Sequence, residues 1–589
     1  MQFNKEQLEV INHKKGACAV IAGAGSGKST VLVERVRTLI DDGVDPNDIA
    51  VVTFTSNSSD DLKTKFKHKG INGVTVGTFH SICKRILISE NVYMSGKIMP
   101  YNVENIFKKI NKKVNYQEVM GFIAYQKNYN VGINDEFIYK ECDYCEDDLR
   151  EYYKAYEKYK TSRHALDFED WLVLALNILK TKPNKYTFKY ILVDEHQDSN
   201  LIQNDLISLL CPSGNVFCVF DYRQAIYTFR GGNPEYCMNF KKYYPKAKVI
   251  NLDMNYRSTN NVVNNANNFI SKYYGGYEFY KESNANNKID GNIRTLTSID
   301  KNSEAIKVVT EIKGKLLKGV KPNEISILYR NNSNSLYIEN ELKREGISYF
   351  ISSTDGSYFN RNEIKCVMCM LRLIDNPHDD IAFETVLKTR VYPITFISKD
   401  TYETMIDLSA TKNISLFEAC DSVKVKASYE RKGLDNFRDM ILNLIMQHKK
   451  GLDLSTIINN ILTMIRMEDY INDKYDGSQL EERIESIEAL KTFVRSNTLE
   501  SFLKFVYSSN KSQKKCTKDD IQLMTIHKSK GLEFDNVYLV GVEDGKFPSK
   551  KSPLEDEARL FYVAVTRPKN NLTISQIYED NQFVNEYFK

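Results

Sequence analysis

The stretch AGAGSGKST at 22–30 constrains this chain more than any other part of it. It follows an apolar run, ACAVIAG (17–23), and leads into helix-compatible sequence, the strand–loop–helix order that a phosphate-binding loop requires. Glycines at 23, 25 and 27 let the backbone curl so that its N–H groups cradle phosphates at a helix N-terminus. The expected cradle is Ala22, Gly23, Ala24, Gly25, Ser26, Gly27, Lys28, Ser29 and Thr30. Lys28 is expected to reach the outer phosphates, and the Ser29 hydroxyl to hold Mg²⁺. A nucleoside triphosphate is the ligand this loop predicts.

The second constraint is YILVDEHQD (190–198), a buried strand that ends in two carboxylates. In a chain with a phosphate-binding loop, Asp194 is the expected Mg²⁺ partner. Glu195 is placed to orient or deprotonate the attacking water. The pair predicts hydrolysis as well as binding.

Both motifs demand an α/β core. Short β-branched runs recur in two clusters, IAVVTFT (49–55), NVFCVFD (215–221) and AKVINL (247–252) in the first, ISILYR (325–330), ISYFIS (347–352), IQLMTIH (521–527), NVYLVGV (536–542) and NLTISQI (571–577) in the second. Such runs, separated by helical pattern, indicate parallel strands in two sheets. Residues 91–165 and 377–515 instead repeat apolar residues at helical spacing and read as helical insertions; Tyr152, Tyr156 and Tyr159 form one packing stripe. With 81 Lys+Arg against 77 Asp+Glu, any phosphate-binding surface must be local. Eleven Cys in 589 residues exclude a disulfide scaffold, and Cys142/Cys145 and Cys366/Cys369 read as sporadic thiols before they read as a zinc site. With neither a signal-peptide pattern nor a membrane-length apolar run, the expectation is a cytoplasmic chain that engages no membrane.

Further segments fall in a fixed order around these two motifs: FNKEQLEVI (3–11), VTFTSNSSDDL (52–62), GTFHSICKRIL (77–87), DFEDWL (167–172), DYRQAIYTFRGG (221–232), NLDMNYRS (251–258), TIHKSKGLEF (525–534) and EARLFYVAVTRPK (557–569). Together they resemble superfamily 1 helicases of the UvrD/Rep/PcrA type, from end to end of the chain. The resemblance implies Gln7 as adenine reader, Gln224 as γ-phosphate sensor, Tyr256 as a face for adenine, and Glu533 as a ribose contact. It implies Arg257 and Arg567 as arginine fingers that stabilise transition-state charge. For single-stranded DNA it implies stacking by Phe54, Phe79, Tyr227 and Phe229. Polar or charged contacts would come from Thr55, Asn57, Thr78, His80 and Arg230, and His527 with Lys530 would couple DNA to nucleotide.

The architecture implied is two RecA-like lobes: 1–90 with 166–253, into which 91–165 is inserted, and 254–376 with 516–589, into which 377–515 is inserted. ATP is expected between them and DNA across both. The implied activity is ATP-dependent translocation on single-stranded DNA and 3′–5′ unwinding, in repair, replication or anti-phage defence. Expected partners are single-stranded DNA, duplex junctions and a nuclease or repair protein. The alternative is a DNA-sensing regulatory ATPase of a nuclease complex with weak unwinding; an RNA helicase is a further alternative. Departures from the family pattern are Ser58-Ser59 for an Ala pair, Thr30 for Arg, Phe220 for Gly, and RVYPITFISKD (390–400) where a Gly-containing duplex-gripping hairpin is usual.

Overall fold

A computed structural model describes residues 2–92, 96–140, 142–351, 358–475, 477–494, 498–513, 517, 519–578 and 580–589. Six strands form the first sheet: β1 (Cys18–Ala22), β2 (Ile49–Thr53), β3 (Thr75–Thr78), β4 (Tyr190–Val193), β5 (Val216–Phe220) and β6 (Lys248–Leu252). Their order is β3-β2-β4-β5-β1-β6, and every pairing is parallel. β1, β2, β4 and β5 are buried along their whole length, which is why their sequences run apolar without alternation. The sheet is covered by the helices that follow its strands, Lys28–Asp41, Ser56–His68 and Leu201–Leu210 among them. A two-stranded pair, β7 (Met254–Asn255) and β8 (Asn284–Ala285), follows.

The second sheet takes β9 (Asn292–Ser298), β10 (Ile325–Tyr329), β11 (Tyr349–Ile351), β12 (Ile521–Thr525), β13 (Phe534–Val542) and β14 (Pro568–Ile577) in the order β11-β12-β10-β13-β14-β9. Pairings β10–β12, β10–β13 and β11–β12 are parallel. By compactness the chain forms two units, 1–293 with 544–572 and 582–589, and 294–543 with 573–581.

Between β3 and β4 the first unit carries five helices, of which the middle three, Pro100–Ile110, Tyr116–Asn128 and Glu146–Ser162, lie in the 91–165 insertion. Tyr152, Tyr156 and Tyr159 are buried in their shared core. An ionic cluster fastens the second and third of these three to the next helix, Phe168–Thr181, whose N-cap is Asp167. The ammonium groups of Lys127 and Lys160 each contact Glu157, Asp167 and Asp170 at 2.6–2.9 Å. Burial alone would raise the Asp167 carboxyl, but the two lysines outweigh it and hold it below its usual range.

In the second unit, eight helices from Asp380–Thr389 to Leu499–Gln513 form the all-helical stretch that periodicity predicts. Cys366 and Cys369 point into its hydrophobic core, as sporadic thiols do. Val391, Ile394 and Ile397 of the departing segment 390–400 are buried in the same core, whereas Phe396 is exposed. No described helix is long and apolar enough to cross a membrane.

Candidate nucleotide site and nucleic-acid cleft

The phosphate loop has the backbone its glycines predict. Gly25 and Gly27 take φ of 69° and 84°, in the left-handed region that side chains disfavour. At Gly25 a Cβ would also lie 2.7 Å from the Cβ of Arg257. Gly27 is the N-cap of Lys28–Asp41 and brings no side-chain cap, so this helix N-terminus keeps its donors for an incoming anion. Ala22, Ala24 and Ser26 are buried, with Ser26 Oγ donating to the Gly23 carbonyl at 2.8 Å, so they shape the loop from within. Thr30 donates its N–H to the Gly27 carbonyl within the first turn.

Lys28 supplies the test of fit. Its Nζ is buried without a hydrogen-bond partner, and Glu195 Oε1 stands 3.9 Å away. A buried ammonium in that state wants an anion, and a phosphate oxygen meets the need. Asp194 emerges from the end of β4, and the Glu195 N–H donates to its Oδ1 at 3.1 Å. Burial first, and then the Glu195 carboxylate, push the Asp194 carboxyl up to about 7. Such a pair of carboxylates suits a divalent cation, which would relieve both effects. Glu195 itself sits at φ 53° and accepts from Gln197 Nε2. Ser29 is half-buried in the first turn beside Lys28.

Gln224, Arg257 and Arg567 lie in the same unit. Gln224 Oε1 accepts from Arg567 Nη2 at 3.1 Å. Arg567 is buried, and burial followed by the charge of Arg257 pushes its guanidinium down to about 9. Arg257 Nη1 donates to the Thr566 carbonyl at 3.2 Å. Two guanidinium groups that repel each other beside an orphaned ammonium form a cationic pocket matched to a polyphosphate. Tyr256 is half-exposed, and its N–H donates to the Gly25 carbonyl at 2.9 Å, which ties it to the loop. Gln7 is buried; its Nε2 donates to the Ser26 carbonyl at 3.2 Å while its Oε1 accepts from the Asn4 N–H. Glu533 and His527 belong to the second unit, Glu533 exposed just before β13 and His527 half-buried in the short helix Ile526–Ser529. Lys530 caps that helix.

A cleft of about 650 Å³ opens in the first unit, lined by Phe54, Thr55, Thr78, His80, Tyr227 and Phe229 among others. Phe54 and Tyr227 stack at 5.1 Å, and Phe229 lies 6.2 Å from Tyr227 with its ring tilted by 44°. Thr55 and Thr78 are N-caps of the helices Ser56–His68 and Phe79–Ser89, so two helix N-termini border the cleft. Burial lowers the His80 imidazole, which favours its neutral form. Phe79 lines the cleft at only 3% exposure and is a core residue of its helix. Asn57 is exposed on the helix Ser56–His68 beside the cleft, and the side chain of Arg230 lies outside the described residues.

Sequence reasoning missed several residues. Phe168, 66% exposed and edge-on to His80 at 5.9 Å, lines the cleft, as does Tyr125 of the helix Tyr116–Asn128. The Phe within DFEDWL (167–172) was the available signal; Tyr125 carried none. Arg559 was missed too: it donates to the Ala225 carbonyl at 2.7 Å and to the Tyr274 hydroxyl at 2.5 Å, bracing the Gln224 turn from the helix Leu554–Val565. Phe220 explains its own departure, packing among His196 and Phe240 at the end of β5. Among the described residues, the His/Cys/Asp/Glu group arranged for a metal is Glu157, Asp167 and Asp170, and Lys127 and Lys160 already occupy it as counterions.

Two family models match the chain across nearly its whole length. The UvrD/REP helicase N-terminal domain matches residues 3–245, and the UvrD-like helicase C-terminal domain matches residues 250–579. An ATP-dependent DNA helicase PcrA of Staphylococcus epidermidis is 29% identical, over 97% of this chain and 83% of that protein. DNA helicase II of Escherichia coli is 30% identical, over 97% and 84%. An ATP-dependent DNA helicase Rep of Buchnera aphidicola is 28% identical, over 99% and 96%.

Proposed function

The chain belongs to the UvrD-like helicase family, an ATP-hydrolysing helicase family, and from that premise we propose that it is an ATP-dependent translocase on single-stranded DNA that unwinds duplex in the 3′–5′ direction. The observation that carries the reading is the cationic pocket: an uncapped helix N-terminus, the orphaned Lys28 ammonium and the Arg257/Arg567 pair face two carboxylates at a strand end.

In this reading Lys28 and the loop N–H groups take the phosphates, and Tyr256 stacks on the adenine. The second amide proton and remaining lone pair of Gln7 face the adenine edge. Ser29 and Asp194 would hold Mg²⁺, which supplies charge neutralisation on the outer phosphates. Glu195 takes the proton of the attacking water, while Gln224, Arg257 and Arg567 stabilise charge on the transferred group. Phe54, Tyr227 and Phe229 stack on successive bases, and the helix termini at Thr55 and Thr78 receive phosphates. Roles for Glu533 toward ribose, and for His527 and Lys530 in coupling, rest on the family resemblance alone. The setting is the cytoplasm, on DNA.

Strand displacement on tailed duplexes tests the direction. Unwinding from a 3′ single-stranded tail is expected; unwinding only from a 5′ tail rejects it.

A further inference from the structure

The Asp221 carboxylate is wholly buried, yet no role in the reaction falls to it directly. Its Oδ1 accepts from Arg223 Nε at 2.7 Å and from the Arg223 N–H at 3.2 Å. Its Oδ2 accepts from Gln224 Nε2 at 2.7 Å and, less closely, from Arg223 Nη2 at 3.3 Å. The Asp221 N–H in turn donates to Gln197 Oε1 at 3.1 Å, and Gln197 Nε2 donates to the Glu195 carboxylate. Burial pushes the Asp221 carboxyl up, but Arg223, Lys28 and these hydrogen bonds outweigh it and keep the group ionised.

An amide side chain has a donor end and an acceptor end, and its rotation by half a turn exchanges them at little steric cost. Gln224 is used at both ends. Arg567 Nη2, which only donates, requires the Gln224 oxygen, and a carboxylate, which only accepts, requires the Gln224 nitrogen. We propose that Asp221 is a positioning residue for ATP hydrolysis, an ionised acceptor that fixes the amide orientation of Gln224 so that its oxygen always faces Arg567. The inference rests on the reading of Gln224 as a γ-phosphate sensor. Arg223 contributes separately: its Nη2 would stand 3.1 Å from a Cβ at Gly23, so it props the phosphate loop.

Asp221→Asn puts an amide where the acceptor stood. Rotated to keep the two shorter Arg223 bonds at Oδ1, that amide presents N–H₂ to Gln224 Nε2 and to the longer Arg223 Nη2 contact, and Gln224 must turn its own nitrogen toward Arg567. The readout is DNA-stimulated ATP hydrolysis by the full chain, with kcat and KM determined for Asp221→Asn, Gln224→Met and the double variant. Asp221→Asn should lower kcat about tenfold or more, the loss of one charge-assisted hydrogen bond, with KM for ATP within about threefold. In the Gln224→Met background the same substitution should lower kcat less than about threefold further, because the amide through which Asp221 acts is gone. A further tenfold loss in that background, or a full-rate Asp221→Asn, overturns the proposal. A full-rate Gln224→Met overturns instead the sensor reading on which it rests. Should Asp221→Asn melt early, Asp221→Glu keeps two acceptor oxygens on a longer arm. It is expected to show the same kcat loss, again abolished by Gln224→Met, and a loss that persists there counts against the proposal.

Discussion

Phe229 and Phe79 enter the sequence argument as equal candidates for base stacking, and the structure predicts opposite consequences for removing them. Phe229 is 59% exposed at the cleft, with Tyr227 as its ring neighbour at 6.2 Å, whereas Phe79 is 3% exposed. Truncating an exposed ring should cost less than about 1 kcal/mol of stability. Truncating a buried one should cost about 3–5 kcal/mol through lost transfer energy and the cavity left behind. On the nucleic-acid side the order reverses. A stacked base is worth about 1–3 kcal/mol, so Phe229→Ala should raise the single-stranded DNA concentration for half-maximal ATPase by roughly 5- to 150-fold. The maximal rate at saturating DNA should stay within about twofold, because nothing at the phosphate loop has moved. Two assays suffice: thermal melting without DNA, and ATPase titrated with an oligonucleotide. If Phe229→Ala melts as early as Phe79→Ala, or leaves the half-maximal DNA concentration within twofold, the assignment of the cleft to DNA fails.

Other expectations concern the nucleotide site and the ionic cluster. Lys28→Ala removes a buried ammonium that has no hydrogen-bond partner, so ligand-free melting should change little. The same variant should lose at least about 100-fold in hydrolysis, and thermal shift with and without ATP separates the two effects. Glu195→Gln should bind ATP but turn it over at least about 100-fold more slowly, since the amide cannot take a proton; equal turnover would remove Glu195 from the chemistry. Asp170→Asn strips one carboxylate from two buried ammonium groups and should destabilise the first unit by about 3–5 kcal/mol, measured by urea unfolding. The Asp167 carboxyl is held below its usual value, so its contribution is complete above about pH 4 and is lost as pH falls further. Asp167→Asn should therefore flatten the acid limb of the stability profile, and an unchanged limb would contradict the sign.

Chemistry that depends on local backbone was legible in the sequence. The glycines of 22–30 predict the left-handed turns found at Gly25 and Gly27, and uninterrupted apolar runs predict the wholly buried strands β1, β2, β4 and β5. β3 and β9 escaped because TVGT carries a central Gly, and because β9 is a largely half-exposed run with polar residues along it. Contacts between distant segments were not legible. Nothing local marks Lys127 and Lys160 as the counterions of Asp167 and Asp170, 40 and 7 residues away in the closest case of each. Nor does DYRQ announce that its first residue sets the amide of its fourth. Phe79 illustrates the converse: a motif fixes the residue type, while burial decides whether the ring is platform or core.

The most direct measurement is the steady-state ATPase rate of the purified chain with and without single-stranded DNA, beside Lys28→Ala. A large stimulation by DNA that the Lys28 variant lacks is the predicted result. A rate indifferent to DNA, or one that survives the loss of Lys28, would contradict the claim that this pocket hydrolyses ATP in response to a bound strand.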